Sequence, residues 1–427
     1  MEILFKNATV VTMNPEAPIL ENANVGISNG KIKISDVEKE KAARVIDCTN
    51  KVLMPGLYNC HTHAGMTLFR GYANDRALED WLFNYLIPAE SKLTSALVRT
   101  GTLLAMAEML SSGTVAFSDM YCDMDEVART AREVGMIANI CNGVIGFDEE
   151  NFDYFSCKEY NQTIRALEEK NDTAVIIDAS IHSVYTSFPR VWEQVLELAK
   201  KNNLRMHVHL SETQTEHENC VKKYGKTPTA IFAEHGVFDV PCIAAHGVWV
   251  TDEDIEILAA KNVTVVHNPL SNLKLASGLA PVTKMLQADV NVALGTDGVS
   301  SNNSHDLFEE LKMASLLQKY ITADPTILPA YETLKMATSN GAKAQGRESS
   351  SGILKDGYDA DMLLIDMDNP RQTMCYDPIL NLAYSTSGRD VEMTIVRGRI
   401  LYEKGEYTTI DIEKVLHEAR AAKKIFV

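Results

Sequence analysis

The chain has 427 residues, 45% hydrophobic and 23% charged, with a formal net charge of -17. That length exceeds one ordinary compact core but suits a barrel with a small appended domain, and the acidic balance argues against nucleic acid or an anionic membrane surface as a partner, since both would repel it. Eight scattered cysteines without a C-x-x-C pair exclude a disulfide framework and a cysteine zinc site; with no basic-then-apolar leader and no apolar run of about 18 residues, a cytoplasmic protein is expected.

Residues 3–12, 23–28, 31–34 and 44–48 read as short strands, with a hairpin signal at Asn29-Gly30 and no candidate chemistry. From Val52 onward, apolar strand segments alternate with helical periodicity. Eight such segments can be placed, at 52–60, 113–119, 135–141, 174–181, 204–210, 242–247, 263–267 and 290–296. Helical stretches lie between them, among them 94–111, 189–201 and 252–260. Eight strands alternating with helices over about 250 residues predict an α/β fold, a distorted (β/α)8 TIM barrel, over residues 54–345. Beyond it, 352–357 and 360–365 return to strand character. A hairpin-like run at 391–402 turns at Arg397-Gly398, and a helix closes the chain at about 411–424. The simplest packing joins 1–53 and 346–427 in one composite β-sandwich domain.

Catalytic groups of such barrels sit at the carboxyl ends of the strands. Seven of the eleven histidines end a segment or follow it at once: His61, His63, His182, His207, His209, His246 and His267. On an extended strand, His61 and His63 share a face while Thr62 points away. Neutral imidazole is the commonest metal-ligand side chain, and His61, His63, His209 and Asp297 together supply three nitrogens and one oxygen at the about 2.0–2.2 Å a mononuclear site needs. His207 lies a step deeper on the same face as His209 and is expected to be core packing. A second, bridged ion would want a lysine where His182 stands, so one divalent ion per subunit is expected. Zinc suits the donor set, and so do iron(II) and nickel(II).

Such an ion lowers the pKa of a bound water to about 7 and so provides hydroxide at neutral pH. Glu212, three residues beyond His209, can face both that water and a substrate. In a deamination it would protonate the ring nitrogen beside the attacked carbon. His246 can hold the attacking hydroxyl or the developing oxyanion, and Asp297 can accept the water's proton while binding metal.

These residues resemble the amidohydrolase superfamily, and more narrowly its S-adenosylhomocysteine/5'-methylthioadenosine deaminase branch. The matching stretches run from Met54 to Ala64, Met66 to Gly71, Asp80 to Leu82, His209 to Thr213, His267 to Leu275 and Gly295 to Asn303. The resemblance covers essentially the whole chain. It implies His61, His63, His209 and Asp297 as metal ligands, Glu212 as proton shuttle and His246 beside the attacked carbon. It further implies Trp81 as an aromatic wall, Glu90 as the carboxylate for ribose hydroxyls, and His182 and Ser301 as further substrate contacts. A homo-oligomer is expected on the same ground.

The implied reaction is hydrolytic deamination of an adenine nucleoside, such as 5'-methylthioadenosine, 5'-deoxyadenosine or adenosine, to the inosine analogue and ammonia. One departure bears on the substrate. Relatives that take S-adenosylhomocysteine carry arginines around the third strand, where this chain reads Gly135 to Gly143 without a basic residue. Losing the two charge-assisted bonds of an arginine to a carboxylate removes the best handle for an amino-acid tail. Arg70, within another matching stretch, is the one candidate substitute, and nothing in the sequence places it there. The alternatives keep the metal centre but attack another ring (guanine, oxidised purine, pterin or triazine), or make the chain a catalytically silent metal-binding relative.

Overall fold

The computed structural model describes residues 1–35, 37, 41–169 and 173–426. The first five strands are β1 (Ile3–Val11), β2 (Ile19–Ser28), β3 (Lys31–Lys33), β4 (Arg44–Asp47) and β5 (Lys51–Pro55). Parallel strands follow: β6 (Leu57–Thr62), β7 (Thr114–Met120), β8 (Ile137–Cys141), β9 (Val175–Ile177), β10 (Ala179–Ile181), β11 (Met206–Leu210), β12 (Cys242–His246), β13 (Thr264–His267) and β14 (Asn291–Leu294). The last four are β15 (Met362–Asp366), β16 (Val391–Val396), β17 (Arg399–Glu403) and β18 (Glu406–Tyr407).

Two parallel sheets, β6-β7-β8-β9 and β10-β11-β12-β13-β14, build the barrel wall. They meet at two seams. At Asp178 the chain changes neighbours: its N–H still bonds the Ile140 carbonyl at 2.9 Å, whereas Ala179 N–H bonds Arg205 at 2.8 Å. The expected segment 174–181 is therefore two short strands in one line. At the other seam Asp297 N–H bonds the His61 carbonyl at 2.9 Å. Asn59 there exchanges two bonds with Thr296, at 2.8 and 3.0 Å. Gly295 permits this approach, because a Cβ on it would lie 2.5 Å from Asn268 Oδ1 and 2.9 Å from the His61 backbone nitrogen.

Strands from both ends of the chain form one mixed sheet in the order β18-β17-β16-β15-β5-β1-β2-β3, with β4 also on β1. The expected sandwich is this one continuous sheet folded over its own core. The Asn29-Gly30 turn meets the Arg397-Gly398 turn, so that a Cβ on Gly398 would lie 2.6 Å from Gly30 Cα. Strand alternation sorts the two faces. Phe5, Val10, Leu53, Met362 and Leu364 fill the inner core, whereas Val52, Met54, Leu363 and Ile365 pack with the barrel's apolar residues.

The expected segment 52–60 is divided between the two bodies. β5 pairs with β15, Gly56 N–H bonds Asp361 O at 2.9 Å, and Leu57 N–H already bonds Gly113 O at 3.0 Å. Hydrophobic patterning runs unbroken through Gly56 because both sheets are buried there. The change of sheet, two residues past the expected boundary at 53/54, is invisible to periodicity.

The helices expected from periodicity at 94–111, 189–201 and 252–260 are present within a residue of those bounds, as Ser95–Ser111, Pro189–Asn202 and Asp252–Ala260. Ser95–Ser111 starts at an N-cap Thr94 whose side chain accepts from Leu97 N–H, and Asp252–Ala260 opens with a Thr251/Asp254 capping box. Among the described residues no helix is long and apolar enough to cross a membrane.

Candidate metal centre and active-site cavity

His61 lies in β6 and His63 follows its last residue, His209 lies in β11, His246 ends β12, and Asp297 follows β14. Each of the three expected imidazole ligands spends its Nδ1 on another partner. His61 Nδ1 lies 2.9 Å from His207 Nε2, His63 Nδ1 2.6 Å from the Met120 carbonyl, and His209 Nδ1 2.7 Å from the His182 carbonyl. Such outer partners fix ring orientation and leave Nε2 for an ion. His61 Nε2 is buried without a hydrogen-bond partner. It is 3.4 Å from Asp297 Oδ1, and His63 Nε2 is 3.1 Å from the same oxygen.

Ligand atoms of His61, His63 and Asp297 all lie within 4.8 Å of one another, as do those of His61, His209 and His246. The His61 and His209 ring centroids are 4.8 Å apart. An orphaned buried nitrogen among convergent imidazoles and one carboxylate fits a divalent cation.

Burial raises the Asp297 carboxyl, but the imidazoles of His61 and His63 outweigh it and hold the group well below the usual carboxylate range. Its other oxygen, Oδ2, accepts from Ser271 Oγ at 2.6 Å and from Ser301 Oγ at 2.9 Å. Burial pushes His61 down to about 4 and His182 down to about 3, so both are neutral at physiological pH.

Three strand ends bend through left-handed backbone: Ser211 (φ 48), His246 (φ 76) and Asp297 (φ 62). For non-glycine residues this conformation costs free energy and clusters at functional sites. At Ser211 it interrupts the strand's two-residue alternation, and His209 and Glu212, three residues apart, come to line the same cavity. Glu212 is buried; its backbone N–H is held by Glu216 Oε2 at 2.7 Å, and its Oε2 lies 3.9 Å from His246 Nε2. Burial raises its carboxyl above the ordinary range, with the nearby His246 opposing and Asp297 adding to the shift.

These groups line a cavity of about 300 Å³, at the lower end of small-molecule sites. All the sequence-expected site residues line this cavity except His61, which sits fully buried beneath it. Trp81 comes from the helix Leu78–Trp81 and Glu90 from the helix Ile87–Glu90. Tyr121 Oη donates to Glu90 Oε1 at 2.6 Å, and the Tyr121 ring stands 6.3 Å from that of His63. Burial raises the Glu90 carboxyl, and the Tyr121 bond only partly offsets this. His182 Nδ1 is occupied by Thr186 Oγ1 at 2.9 Å. The Ser301 hydroxyl, expected at the substrate, is instead engaged with Asp297 Oδ2 and the Gly298 carbonyl at 2.9 Å each.

Other residues take places that sequence patterning did not assign. His207 is not mere packing, since its Nε2 supports His61; the signal was its position on the same strand face as His209. Among the described residues lining the cavity, the one lysine or arginine is Lys158, from the helix Lys158–Glu168. Its Nζ is 2.7 Å from Asp123 Oδ1, and Glu159 lines the wall beside it. Arg70 is committed elsewhere, to Glu108 and to the Asn303 carbonyl.

The family model described as the amidohydrolase family matches residues 52–401. A 5'-deoxyadenosine deaminase of Methanosarcina acetivorans is 45% identical across 100% of this chain and 98% of its own length. A 5-methylthioadenosine/S-adenosylhomocysteine deaminase of Acetivibrio thermocellus is 43% identical across 99% of both. The crystal structure of an adenosine deaminase from Xanthomonas campestris with bound zinc superposes with a TM-score of 0.94, at 31% identity, covering 100% of this chain and 98% of that one. With a barrel of this form and matches of this extent, the chain belongs to the amidohydrolase family.

Proposed function

We propose that the protein is a metal-dependent aminohydrolase that deaminates the adenine ring of nucleosides with a small, uncharged 5'-substituent, giving the inosine analogue and ammonia. The observation that carries this reading is the pairing of two donor groups that share His61, one with His63 and Asp297 and one with His209 and His246, with Glu212 and, one aromatic ring away, the buried Glu90–Tyr121 pair. A hydrolytic centre thus adjoins an acceptor suited to sugar hydroxyls. Relatives named for 5'-deoxyadenosine and for 5-methylthioadenosine/S-adenosylhomocysteine support an adenine nucleoside as the substrate.

His61, His63, His209 and Asp297 would hold one divalent ion, zinc by its donor set and by the zinc in the related adenosine deaminase. Bound there, the ion would supply a water ionised near neutral pH. Glu212, whose carboxyl burial raises, is suited to carry a proton to ring nitrogen N1 and later to the departing amine, so that water adds its oxygen to C6 and the C6–N bond breaks to release ammonia. Asp297, held ionised, keeps an acceptor available for the water's proton. His246 Nε2 faces Glu212 across the reacting position. Trp81 offers an apolar wall to the base, and Glu90 accepts from ribose hydroxyls. His182, neutral and held by Thr186, and Ser301, held by Asp297, complete the cavity lining.

The 5' end of the substrate meets a wall whose single lysine is already matched by Asp123, which also accepts from Ser95 and Gln162 at 2.8 and 2.7 Å. With Glu159 beside it, this wall has no surplus positive charge for a carboxylate. Specificity constants are therefore expected to rank 5'-deoxyadenosine, 5'-methylthioadenosine and adenosine above S-adenosylhomocysteine, by about tenfold or more for one lost charge-assisted contact. Steady-state ammonia release over the four compounds checks this, and a clear preference for S-adenosylhomocysteine would refute it.

A further inference from the structure

We propose that Asn272 is a positioning residue that sets the tautomer of His246, holding Nδ1 as the protonated nitrogen so that the Nε2 lone pair faces the reacting centre. The inference rests on the reading of His246 given above, and it starts from the stretch His267 to Leu275, whose middle residues had no assigned part.

His246 cannot orient itself. Its backbone turns through φ 76, followed by Gly247 at φ 57, so the strand's regular geometry no longer directs the side chain. A neutral imidazole has one donor and one acceptor nitrogen, and the partner of one decides the role of the other. His246 Nδ1 has two amide neighbours. Asn272 Oδ1 is 2.8 Å away and can only accept; Asn268 Nδ2 is 3.4 Å away and can only donate. The shorter contact prevails, since hydrogen bonds weaken steeply toward 3.5 Å. Nδ1 then carries the proton, and Nε2 can accept from the attacking hydroxyl while lying 3.9 Å from Glu212 Oε2.

Asn272 is itself rigidly carried. It sits in the helix Pro269–Lys274, with an exposure of 1%. The helix start is held by Glu310, whose Oε2 accepts from Leu270 N–H at 3.2 Å while its Oε1 accepts from Asn302 at 2.5 Å. The helix end is held by Lys274, whose Nζ donates to the Ser300 carbonyl at 3.0 Å and also reaches Asn303 Oδ1. Ser271, the residue before Asn272, donates to Asp297 Oδ2 at 2.6 Å. One clamped turn of helix thus orients both a carboxylate ligand and the imidazole opposite Glu212, through adjacent residues.

The test compares Asn272→Leu, which keeps volume and removes the acceptor, with Asn272→Asp, which restores an acceptor oxygen. Both are assayed with whichever nucleoside the wild-type enzyme deaminates. Metal content by elemental analysis and substrate affinity in a Glu212→Gln background are read alongside. Asn272→Leu is expected to lower kcat by about 100-fold with KM, metal content and affinity unchanged, and Asn272→Asp to recover to within about tenfold of wild type. The proposal is overturned if Asn272→Leu keeps wild-type kcat or loses its metal, which would make His246 a ligand. It is overturned equally if Asn272→Asp is as impaired as Asn272→Leu. Should Asn272→Leu not fold, the comparison of Asn272→Ala with Asn272→Asp decides by the same readouts. A wild type inert on every nucleoside defeats the substrate reading instead, and Asn272 is then assayed on the ring compound the enzyme does hydrolyse.

Discussion

Glu212→Gln is expected to retain its metal and its melting temperature while losing about three orders of magnitude in kcat, within the range that general acid–base groups contribute. Glutamine matches the volume of the buried glutamate, and the Glu216 bond to the residue 212 backbone N–H at 2.7 Å does not depend on the side chain. Fold and ion site should therefore survive. What disappears is a carboxyl that burial raises toward the range where it can both take and give a proton. Glutamine can do neither. KM should change little, because the proton transfers occur after binding. Equal metal content with kcat within tenfold of wild type would remove Glu212 from the mechanism.

Stripping the ion with a strong chelator is expected to abolish turnover and to lower thermal stability, both restored by one equivalent of zinc. The stability change follows from linkage: an ion present at a thousandfold above its dissociation constant adds about 4 kcal/mol to the folded state. The effect is expected to be local to the barrel mouth, where His61, His63, His209 and Asp297, the proposed ligands, come from the ends of β6, β11 and β14. His209→Ala should reproduce the stripped state in both respects if His209, whose Nδ1 is taken by the His182 carbonyl, offers its Nε2 to the ion as proposed. Full activity after verified metal removal, or a melting temperature indifferent to zinc, would contradict the assignment.

How much of this was legible in the sequence depends on the kind of information each feature carries. Period-two alternation places His61 and His63 on one face, and carboxyl-terminal placement points to His209, His246 and Asp297, whereas Trp81, Glu90 and Ser301 were named only through the family resemblance. Helices such as 94–111 and 252–260 were legible through their periodicity, and the structure adds the caps at Thr94 and Thr251. What patterning could not reveal is partnership across the fold. His207 reads as a core histidine until His61 is seen 2.9 Å away. Ser271 and Asn272 carried no assignment beyond the matching stretch His267 to Leu275, although they touch groups 26 positions distant in the chain. Ser211 gives no local sign of left-handed backbone, yet that turn lets Glu212 share a cavity with His209. The division of 52–60 at Gly56 was hidden for a different reason: two buried sheets meet there, and burial on both sides erases the boundary.

The most direct test of the central claim is ammonia release by the zinc-loaded enzyme from 5'-deoxyadenosine, set against adenine, guanine, a pterin and a triazine. The expected result is stoichiometric ammonia and the inosine analogue from the nucleoside, with free adenine at least about 100-fold poorer in kcat/KM because it lacks the hydroxyls that Glu90 would otherwise engage. Turnover of a free base, pterin or triazine with the nucleoside inert would leave the metal chemistry standing and contradict the assignment of an adenine nucleoside as substrate.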